Sequence, residues 1–258
     1  MQRRPTLTRV TTPTEFLRHA LSVDPARPRL TWYDGISGER IELSGTTLAN
    51  WVNKTAHLLI NELDVQPGVS VSIDLPRHWL TAVWWLAADA IGAHPRLGPD
   101  PAAAVAVVGP DAFAAIPPNH EIVAVSLAPM GAPFVGSLPA LVRDYAVEVR
   151  SQPDQYHPTT QGDQAAGTRA EQLAAAWALG PEDRLLAVGP FEGPADLDQS
   201  LLAPLAAGSS VVWVRNQPDP ACVEQLAAER VTVGVGAPPT GPIVGLGIRW
   251  LPRPSVSC

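Results

Sequence analysis

Three consecutive stretches decide the fold of this chain: Thr168-Arg-Ala-Glu-Gln-Leu-Ala-Ala-Ala176, Leu179-Gly-Pro-Glu-Asp-Arg-Leu-Leu-Ala-Val188 and Leu201-Leu-Ala-Pro-Leu-Ala-Ala-Gly-Ser-Ser-Val-Val212. The first predicts a helix that begins with a capping box, Thr168 with Glu171, and ends near Gly-Pro. The second contains a short apolar run of the kind that forms a buried strand. The third predicts a helix that leads into another strand. Helices that alternate with strands indicate an α/β domain with a mostly parallel sheet.

The first 150 residues show the same alternation. Residues 44–63 have helical spacing, residues 69–75 alternate as in a strand, and residues 78–91 predict a helix rich in Trp and Ala. The polar stretch 151–167 lacks any periodicity, which is typical of a linker. We therefore predict two stacked α/β lobes with mostly parallel sheets, divided as follows: first lobe 12–150, polar linker 151–167, second lobe 168–251 and tail 252–258.

Composition and charge exclude several classes of function. With 258 residues, 46% hydrophobic and 17% charged, the chain has the composition of a globular protein. A net charge of −7 without a basic stripe argues against a nucleic-acid partner. Lys54 is the only lysine of the chain, so any reaction that needs a lysine would have to use it.

The cysteines and the apolar stretches predict a cytoplasmic setting. Cys222 and Cys258 cannot form a disulfide framework. The most apolar stretch, residues 80–93, is interrupted by Asp89 and is too short to span a bilayer. We therefore expect no membrane span.

The chain shows no motif for a metal site or for a nucleophile. Its six histidines are dispersed and have no ligand companions at metal-binding spacing. Ser137 lacks the second glycine of a nucleophile elbow. We therefore predict no metal and no catalytic residue of these types. One stretch, residues 93–97, places His, Pro and Arg in an apolar context, which predicts a short, distorted or edge element.

The three opening stretches, in their order, resemble the part of adenylate-forming enzymes (acyl-CoA synthetases and other AMP-binding proteins) that follows a Gly-, Ser- and Thr-rich loop ending in Pro-Lys-Gly. Further similarity lies at scaffold positions. Pro28-Arg-Leu-Thr-Trp-Tyr-Asp34 with residues 38–44 resembles the family's opening hairpin. Residues 67–76 resemble its Pro-Gly-Asp-x-Val-Ala-x-x-x-Pro strand, and residues 229–239 resemble a strand that ends in Pro-Pro. The chain also resembles short actinobacterial proteins with this architecture. The resemblance implies the fold of part of the family's N-terminal domain.

In that family the Gly-rich loop and its lysine hold the phosphates of ATP. Here Thr159-Thr-Gln-Gly162 stands near that place, without a second glycine and without Pro-Lys-Gly. The resemblance makes Thr159, Thr160 and Gly162 weak candidates for a cofactor site, with an ordinary linker as the alternative. Glu192 follows Phe191 where the family often has an aromatic residue and a His near the acyl pocket. It is a fourth weak candidate, with a solvent-facing carboxylate as the alternative.

The resemblance and its departures predict a catalytically inactive relative that binds a small acyl- or nucleotide-like ligand or a protein partner. The alternative is an acyl-activating enzyme, forming an adenylate or thioester, that a partner chain completes. The family's Thr-Gly-Asp motif, hinge and lysine-bearing C-terminal domain have no counterpart up to Cys258, which disfavours an enzyme. ATP with Mg²⁺ is disfavoured, whereas CoA or an acyl group remains open. Apolar surface left by missing domains would favour a homo-oligomer or a protein partner.

Overall fold

The computed structural model describes residues 11–110, 112, 121–216, 220–236 and 247–252. The predicted Pro-Pro end of the stretch 229–239 and the predicted tail beyond residue 252 lie outside these residues. Within the described part, the strands are β1 (Pro28–Tyr33), β2 (Arg40–Ser44), β3 (Ser70–Asp74), β4 (His94–Leu97), β5 (Val105–Val108), β6 (Glu121–Ala124), β7 (Val142–Asp144), β8 (Arg184–Val188), β9 (Ser210–Val214), β10 (Val233–Val235) and β11 (Arg249–Leu251).

The first helix precedes β1, and the other helices lie between strands. In chain order they are α1 (Pro13–Val23), α2 (Gly45–Asn61), α3 (Trp79–Ala90), α4 (Tyr145–Glu148), α5 (Gln164–Ala176), α6 (Ala195–Leu197), α7 (Ala203–Ala206) and α8 (Pro220–Ala228). A π-helical turn, Asp198–Leu202, joins α6 to α7. The helix predicted in the stretch from Leu201 therefore begins earlier, at Ala195, and contains this wider turn. None of the helices in the described ranges has both the length and the hydrophobicity that a bilayer span requires.

The strands form two sheets, and nearly all of their pairings are parallel. A six-stranded sheet has the order β11-β10-β8-β9-β1-β2, and a five-stranded sheet has the order β4-β3-β5-β6-β7. The antiparallel pair among these strands is the hairpin β1–β2, as expected for its short connection. The predicted fold class, α/β with two mostly parallel sheets, is confirmed.

The opening hairpin belongs to the sheet that the second half of the chain builds. Strand β1 pairs in parallel with β9, with Leu30 opposite Val211 and Tyr33 opposite Val214. The predicted first lobe therefore gives its first two strands to the second sheet, while residues 70–144 supply the whole five-stranded sheet. The division into lobes by residue number stays a prediction.

Helix α3 is the central element of the core. All twelve of its residues are buried, including Trp84 and Trp85, because the helix contacts both sheets through β1 and β3. A helix that is apolar on every side must be covered on every side. His78 caps its start, with Nδ1 accepting a hydrogen bond of 3.2 Å from the Leu80 amide.

Helix α5 begins earlier than the sequence predicts. Asp163 is the N-cap, and its Oδ1 accepts a 3.0 Å hydrogen bond from the Ala166 amide. Thr168 lies inside the helix and donates its hydroxyl to Gln164 O, while Glu171 accepts from the Thr11 hydroxyl. The predicted capping box at Thr168 is therefore wrong, because a better capping residue precedes it in the polar stretch.

Strand β4 confirms the expectation of a short edge element. It has four residues and lies at the end of the five-stranded sheet, where it pairs with β3. Pro95 is tolerated there because an edge strand does not need every amide for pairing.

Candidate functional site

A cavity of about 720 Å³ lies between the two sheets. Parallel strands that run in the same direction bring their carboxyl ends, and the loops that follow, to one edge of a sheet. Strands of both sheets contribute a wall residue at or just beyond their carboxyl ends. One such residue from each of β3, β4, β5, β6, β8 and β9, in that order, is Asp74, Leu97, Gly109, Ser126, Pro190 and Arg215.

Most of the cavity wall is apolar, and its charged side chains are Asp74 and Arg215. Arg215 follows β9, and its backbone amide donates to Tyr33 O at 2.8 Å. Within the described part of the chain, its guanidinium takes part in no hydrogen bond and no ion pair. A guanidinium binds carboxylates and phosphates through paired hydrogen bonds. The wall therefore suits a small ligand with an apolar body and an anionic group.

The loop from Gly189 to Asp196, here called the 189–196 loop, forms one side of the cavity. Phe191 lies on the wall, and its ring meets Trp213 edge to face at 5.6 Å between centroids. The guanidinium of Arg77 stacks on the Phe191 ring, with its Cζ 4.5 Å from the ring centroid. The aromatic wall is thus packed on two sides by buried groups.

Arg77 is fully buried and connects the two sheets. It follows β3 in the five-stranded sheet, yet its Nη2 pairs at 3.0 Å with Oδ1 of Asp196, which lies between β8 and β9 of the six-stranded sheet. It also donates to Gly189 O at 2.8 Å and to Ser200 Oγ at 3.0 Å. Its own carbonyl accepts a 2.8 Å hydrogen bond from Trp32 Nε1.

His78, next to Arg77, is held neutral. Burial, with a smaller contribution from the positive charge of Arg215, lowers the pKa of His78 to about 3, although the negative charge of Asp34 opposes the shift. The ring lies edge-on to Trp32 at 4.4 Å between centroids. Since its Nδ1 caps α3, we assign His78 a structural role.

Two of the predicted loop candidates are packed against α3 and the turn that follows it. Thr160 lies so close to Gly92 that a Cβ on that glycine would be 3.0 Å from the threonine Oγ1. A Cβ on Gly162 would be 2.4 Å from Asp89 Oδ2. Thr159, by contrast, is exposed. The close approach of Asp89 to Gly162 explains why glycine is required at position 162, without any role in phosphate binding.

Asp89 holds the segment around Gly162 in place through hydrogen bonds. It accepts hydrogen bonds from the Thr14 amide at 3.0 Å, the Thr14 hydroxyl at 2.6 Å and the Asp163 amide at 2.7 Å. Burial raises the pKa of Asp89, and these three hydrogen bonds oppose that shift. The stretch that stands in place of a phosphate loop is therefore tied to both α1 and α3.

The start of α5 already carries a carboxylate. A helix N-terminus attracts anions because its first amides point outward and its dipole is positive there. In this chain the Asp163 carboxylate accepts from one of those amides, that of Ala166, and the buried Asp89 accepts from the Asp163 amide. A phosphate at this position would have to displace both hydrogen bonds.

Glu192 stands apart from the other three candidates. Its side chain is exposed, and its backbone amide donates to Asp196 Oδ2 at 2.9 Å. Its neighbours Phe191 and Gly193 line the 720 Å³ cavity. Thr160 and Gly162 instead line a small polar cavity of about 190 Å³ beside α1. The structure does not bring the four candidates together, and their role in ligand binding stays a prediction.

The residues that shape the cavity were missed from the sequence. Arg77 and Arg215 each follow a strand, and site residues of parallel sheets gather at such positions. This position was the one sequence signal that could have identified them.

Asp89 stood out in the sequence only as an interruption of an apolar stretch. An isolated carboxylate in a buried helix is itself a sign of a specific hydrogen-bonding role.

Two solved structures with this fold are an acyl-CoA synthetase and a CoA ligase. The chain superposes on a Brucella canis acyl-CoA synthetase with a TM-score of 0.68 at 19% identity, over 85% of this chain and 47% of that protein. It superposes on the anthranilate CoA ligase AuaEII, solved with anthranoyl-AMP, with a TM-score of 0.68 at 13% identity, over 91% of this chain and 51% of that one. The chain thus spans about half the length of the structures it matches, and the predicted resemblance to adenylate-forming enzymes is confirmed at the level of the fold.

No protein-family model matches the sequence. A curated relative does match, the TIGR03089 family protein of Mycobacterium tuberculosis (strain ATCC 25618 / H37Rv), at 42% identity over 252 residues. The alignment covers 86% of this chain and 99% of that protein. Identity at this level over nearly the whole relative shows common descent and a shared fold, and the chain therefore belongs to the TIGR03089 family.

Proposed function

We propose that this chain binds a small acyl-type ligand in the cavity between its sheets and does not form an acyl-adenylate by itself. One observation carries the proposal. The chain retains an apolar cavity with an accessible guanidinium at the carboxyl ends of its strands, whereas Asp89 ties down the segment that stands in place of a phosphate loop.

The size and chemistry of the cavity support the ligand class. Ligand cavities commonly enclose about 300–1,000 Å³ and combine apolar walls with a few polar groups. The cavity here has a volume of about 720 Å³, and Phe191 and Leu127 are among its apolar wall residues. Arg215 offers a partner for the carboxylate of a free fatty acid or for the phosphates of a CoA ester.

The state of the replaced loop supports the absence of adenylation. A phosphate cradle needs several free backbone amides and a nearby cation. The Asp163 amide donates to the Asp89 carboxylate instead, and the Asp163 carboxylate accepts from the Ala166 amide. Each charge-assisted hydrogen bond lost from a phosphate costs about 1.5–3 kcal/mol of binding free energy.

The single lysine of the chain is engaged elsewhere. Lys54 lies on α2 and donates to Gln152 O at 2.5 Å and to Arg150 O at 3.3 Å, in the turn after α4. It is not among the residues that line the 720 Å³ cavity. The chain's own lysine therefore offers no cation to a nucleotide in that cavity.

A protein contact is a separate proposal. Ile36, on the β1–β2 turn, and Met130, Val135 and Leu141, after β6, are large apolar side chains with high exposure. The Met130 amide donates to Glu39 Oε1 at 3.2 Å, which connects the two loops. Exposed apolar surface of this kind supports the predicted homo-oligomer or protein partner, and sedimentation equilibrium tests it. A cytoplasmic setting stays a prediction from the sequence.

A thermal-shift titration tests the proposed function. The purified chain is titrated with octanoate, octanoyl-CoA, CoA, AMP and ATP–Mg²⁺, in parallel with Arg215→Gln and with Arg150→Gln, whose side chain is exposed. A ligand at 100 times its dissociation constant adds about 2.7 kcal/mol to the free energy of unfolding. We expect stabilisation by octanoate or octanoyl-CoA that Arg215→Gln weakens and Arg150→Gln leaves unchanged.

Two results would contradict the proposal. Stabilisation by ATP–Mg²⁺ alone would show that nucleotide binding survives without the Gly-rich loop, and would favour an acyl-activating enzyme completed by a partner chain. Stabilisation by none of the five compounds would favour a chain that acts through protein contacts.

A further inference from the structure

We propose that Arg77 is the positioning residue of the cavity: its guanidinium fixes the 189–196 loop and so holds Phe191 as the wall that meets the acyl part of the ligand. This inference rests on the proposed function, because it assigns the shape of the binding wall to one side chain. Arg77 itself does not line the cavity, so that it acts through the loop and not by touching the ligand.

The guanidinium binds the loop at both of its ends. At the start of the loop it donates from Nε to Gly189 O at 2.8 Å and from Nη2 to Pro190 O at 3.3 Å. At the end of the loop it pairs with Asp196 Oδ1 at 3.0 Å. A guanidinium is planar and rigid, so these bonds fix the two ends of the loop relative to each other.

Asp196 extends this hydrogen-bond network to Glu192, the residue after Phe191. Its Oδ1 accepts from Arg77, and its Oδ2 accepts from the Glu192 amide at 2.9 Å. The backbone on both sides of the Phe191 ring is thereby connected to one guanidinium. The ring itself lies 4.5 Å from the Arg77 Cζ, within the distance of a cation–π contact.

The burial of this pair argues for a geometric role. The side chains of Arg77 and Asp196 are 0% and 1% exposed. Desolvation of two charges is costly, and a well-packed apolar pair is often as stable as a buried ion pair. An apolar pair could not form directed hydrogen bonds to the loop carbonyls and to Ser200 Oγ. These hydrogen bonds together fix the position of the cavity wall.

Arg29 provides a matched control within the same chain. It is also a buried arginine, at 2% exposure, and its guanidinium donates to backbone carbonyls, at 2.6 Å to Gly208 O and at 3.3 Å to Ala20 O. None of these acceptors belongs to the 189–196 loop. Replacing Arg29 therefore removes a buried guanidinium without releasing the cavity wall.

The experiment follows Phe191 directly. The chain contains four phenylalanines, so fluorophenylalanine labelling gives a simple ¹⁹F NMR spectrum in which Phe191→Leu identifies one resonance. The variants are Arg77→Lys, the double variant Arg77→Met with Asp196→Leu, and the control Arg29→Lys. The double variant removes the ion pair without leaving one buried charge alone, which keeps it foldable.

We expect the Phe191 resonance to shift and broaden in Arg77→Lys and in the double variant, and to stay in place in Arg29→Lys. The same two variants should weaken octanoate binding roughly tenfold, which is the size of one lost aromatic contact. An unmoved Phe191 resonance in a folded double variant would overturn the inference. If octanoate does not bind the unmodified chain, the proposed function fails, while the ¹⁹F spectrum still decides whether Arg77 positions Phe191.

Discussion

At the scale of single residues, Gly162 shows how a residue can be required for packing while it resembles part of a phosphate loop. Its backbone lies against the Asp89 carboxylate, and three hydrogen bonds hold that carboxylate in place. The carboxylate cannot retreat without losing them. A side chain at position 162 must therefore displace the segment itself.

We expect Gly162→Ala to lower the free energy of unfolding by about 1–3 kcal/mol, the usual cost of overpacking a filled site. Gly180→Ala is the control, because a Cβ there would meet nothing closer than Asp183 Oδ2 at 4.0 Å. Urea unfolding of both variants measures the difference. Equal stabilities for the two would mean that the segment is not packed on Asp89 in solution.

The sequence could indicate some of these residues and not others. Gly162 was singled out because of its neighbours in the chain, through a family resemblance. Arg77 was not, because its partners Gly189 and Asp196 are more than a hundred residues away and only the folded sheets bring them together. A buried ion pair of this kind has no local pattern. Sequence periodicity reports burial, and it cannot report which buried charges face each other.

At the scale of elements, α5 shows where local patterns mislead. The spacing of Thr168 and Glu171 satisfies the capping-box pattern, yet both residues lie inside the helix. Asp163, in a stretch without periodicity, begins the helix because its carboxylate caps the chain and its amide is bonded to Asp89. The tertiary contact with Asp89 therefore determines which of the two possible capping residues begins α5. Helix α3 and strand β3 were predictable within one or two residues, because a buried apolar run offers no second start.

The two possible starts of α5 can be compared by mutation. Asp163→Ala should cost about 1 kcal/mol of the free energy of unfolding, as expected for the loss of an N-cap. Thr168→Ala should cost much less, since its hydroxyl only donates back to Gln164 O within the helix. Chemical denaturation monitored by circular dichroism gives both values. A larger loss from Thr168→Ala would restore the capping box that the sequence predicts.

At the scale of the whole molecule, the two sheets share one core. Helix α3 contacts strands of both sheets, and one continuous apolar cluster includes Val71 from β3 and Val211 from β9. Arg77 adds a polar connection across the same interface. Each sheet also has a small apolar cluster of its own, which includes Leu186 and Val212 in the six-stranded sheet and Ala106 and Val108 in the five-stranded sheet. The cluster that the two sheets share is by far the larger.

We expect the chain to unfold in a single cooperative transition. Differential scanning calorimetry should give a calorimetric enthalpy equal to the van't Hoff enthalpy, which is the criterion for two-state unfolding. The double variant Arg77→Met with Asp196→Leu should keep this equality, because the apolar contacts through α3 remain. Two separate transitions in the unmodified chain would show that the lobes predicted from the sequence are independent domains.

The parallel pairing of β1 with β9 also has a consequence for synthesis. Leu30 and Trp32 emerge from the ribosome early, but their partners Val211 and Trp213 are made only after most of the chain has been translated. At about 5–20 residues per second, that delay is on the order of ten seconds or more. During this interval an apolar hairpin edge has no neighbouring strand to cover it. The β1 edge of the nascent chain therefore stays unpaired until β9 has been made, long before the cavity between the two sheets can form.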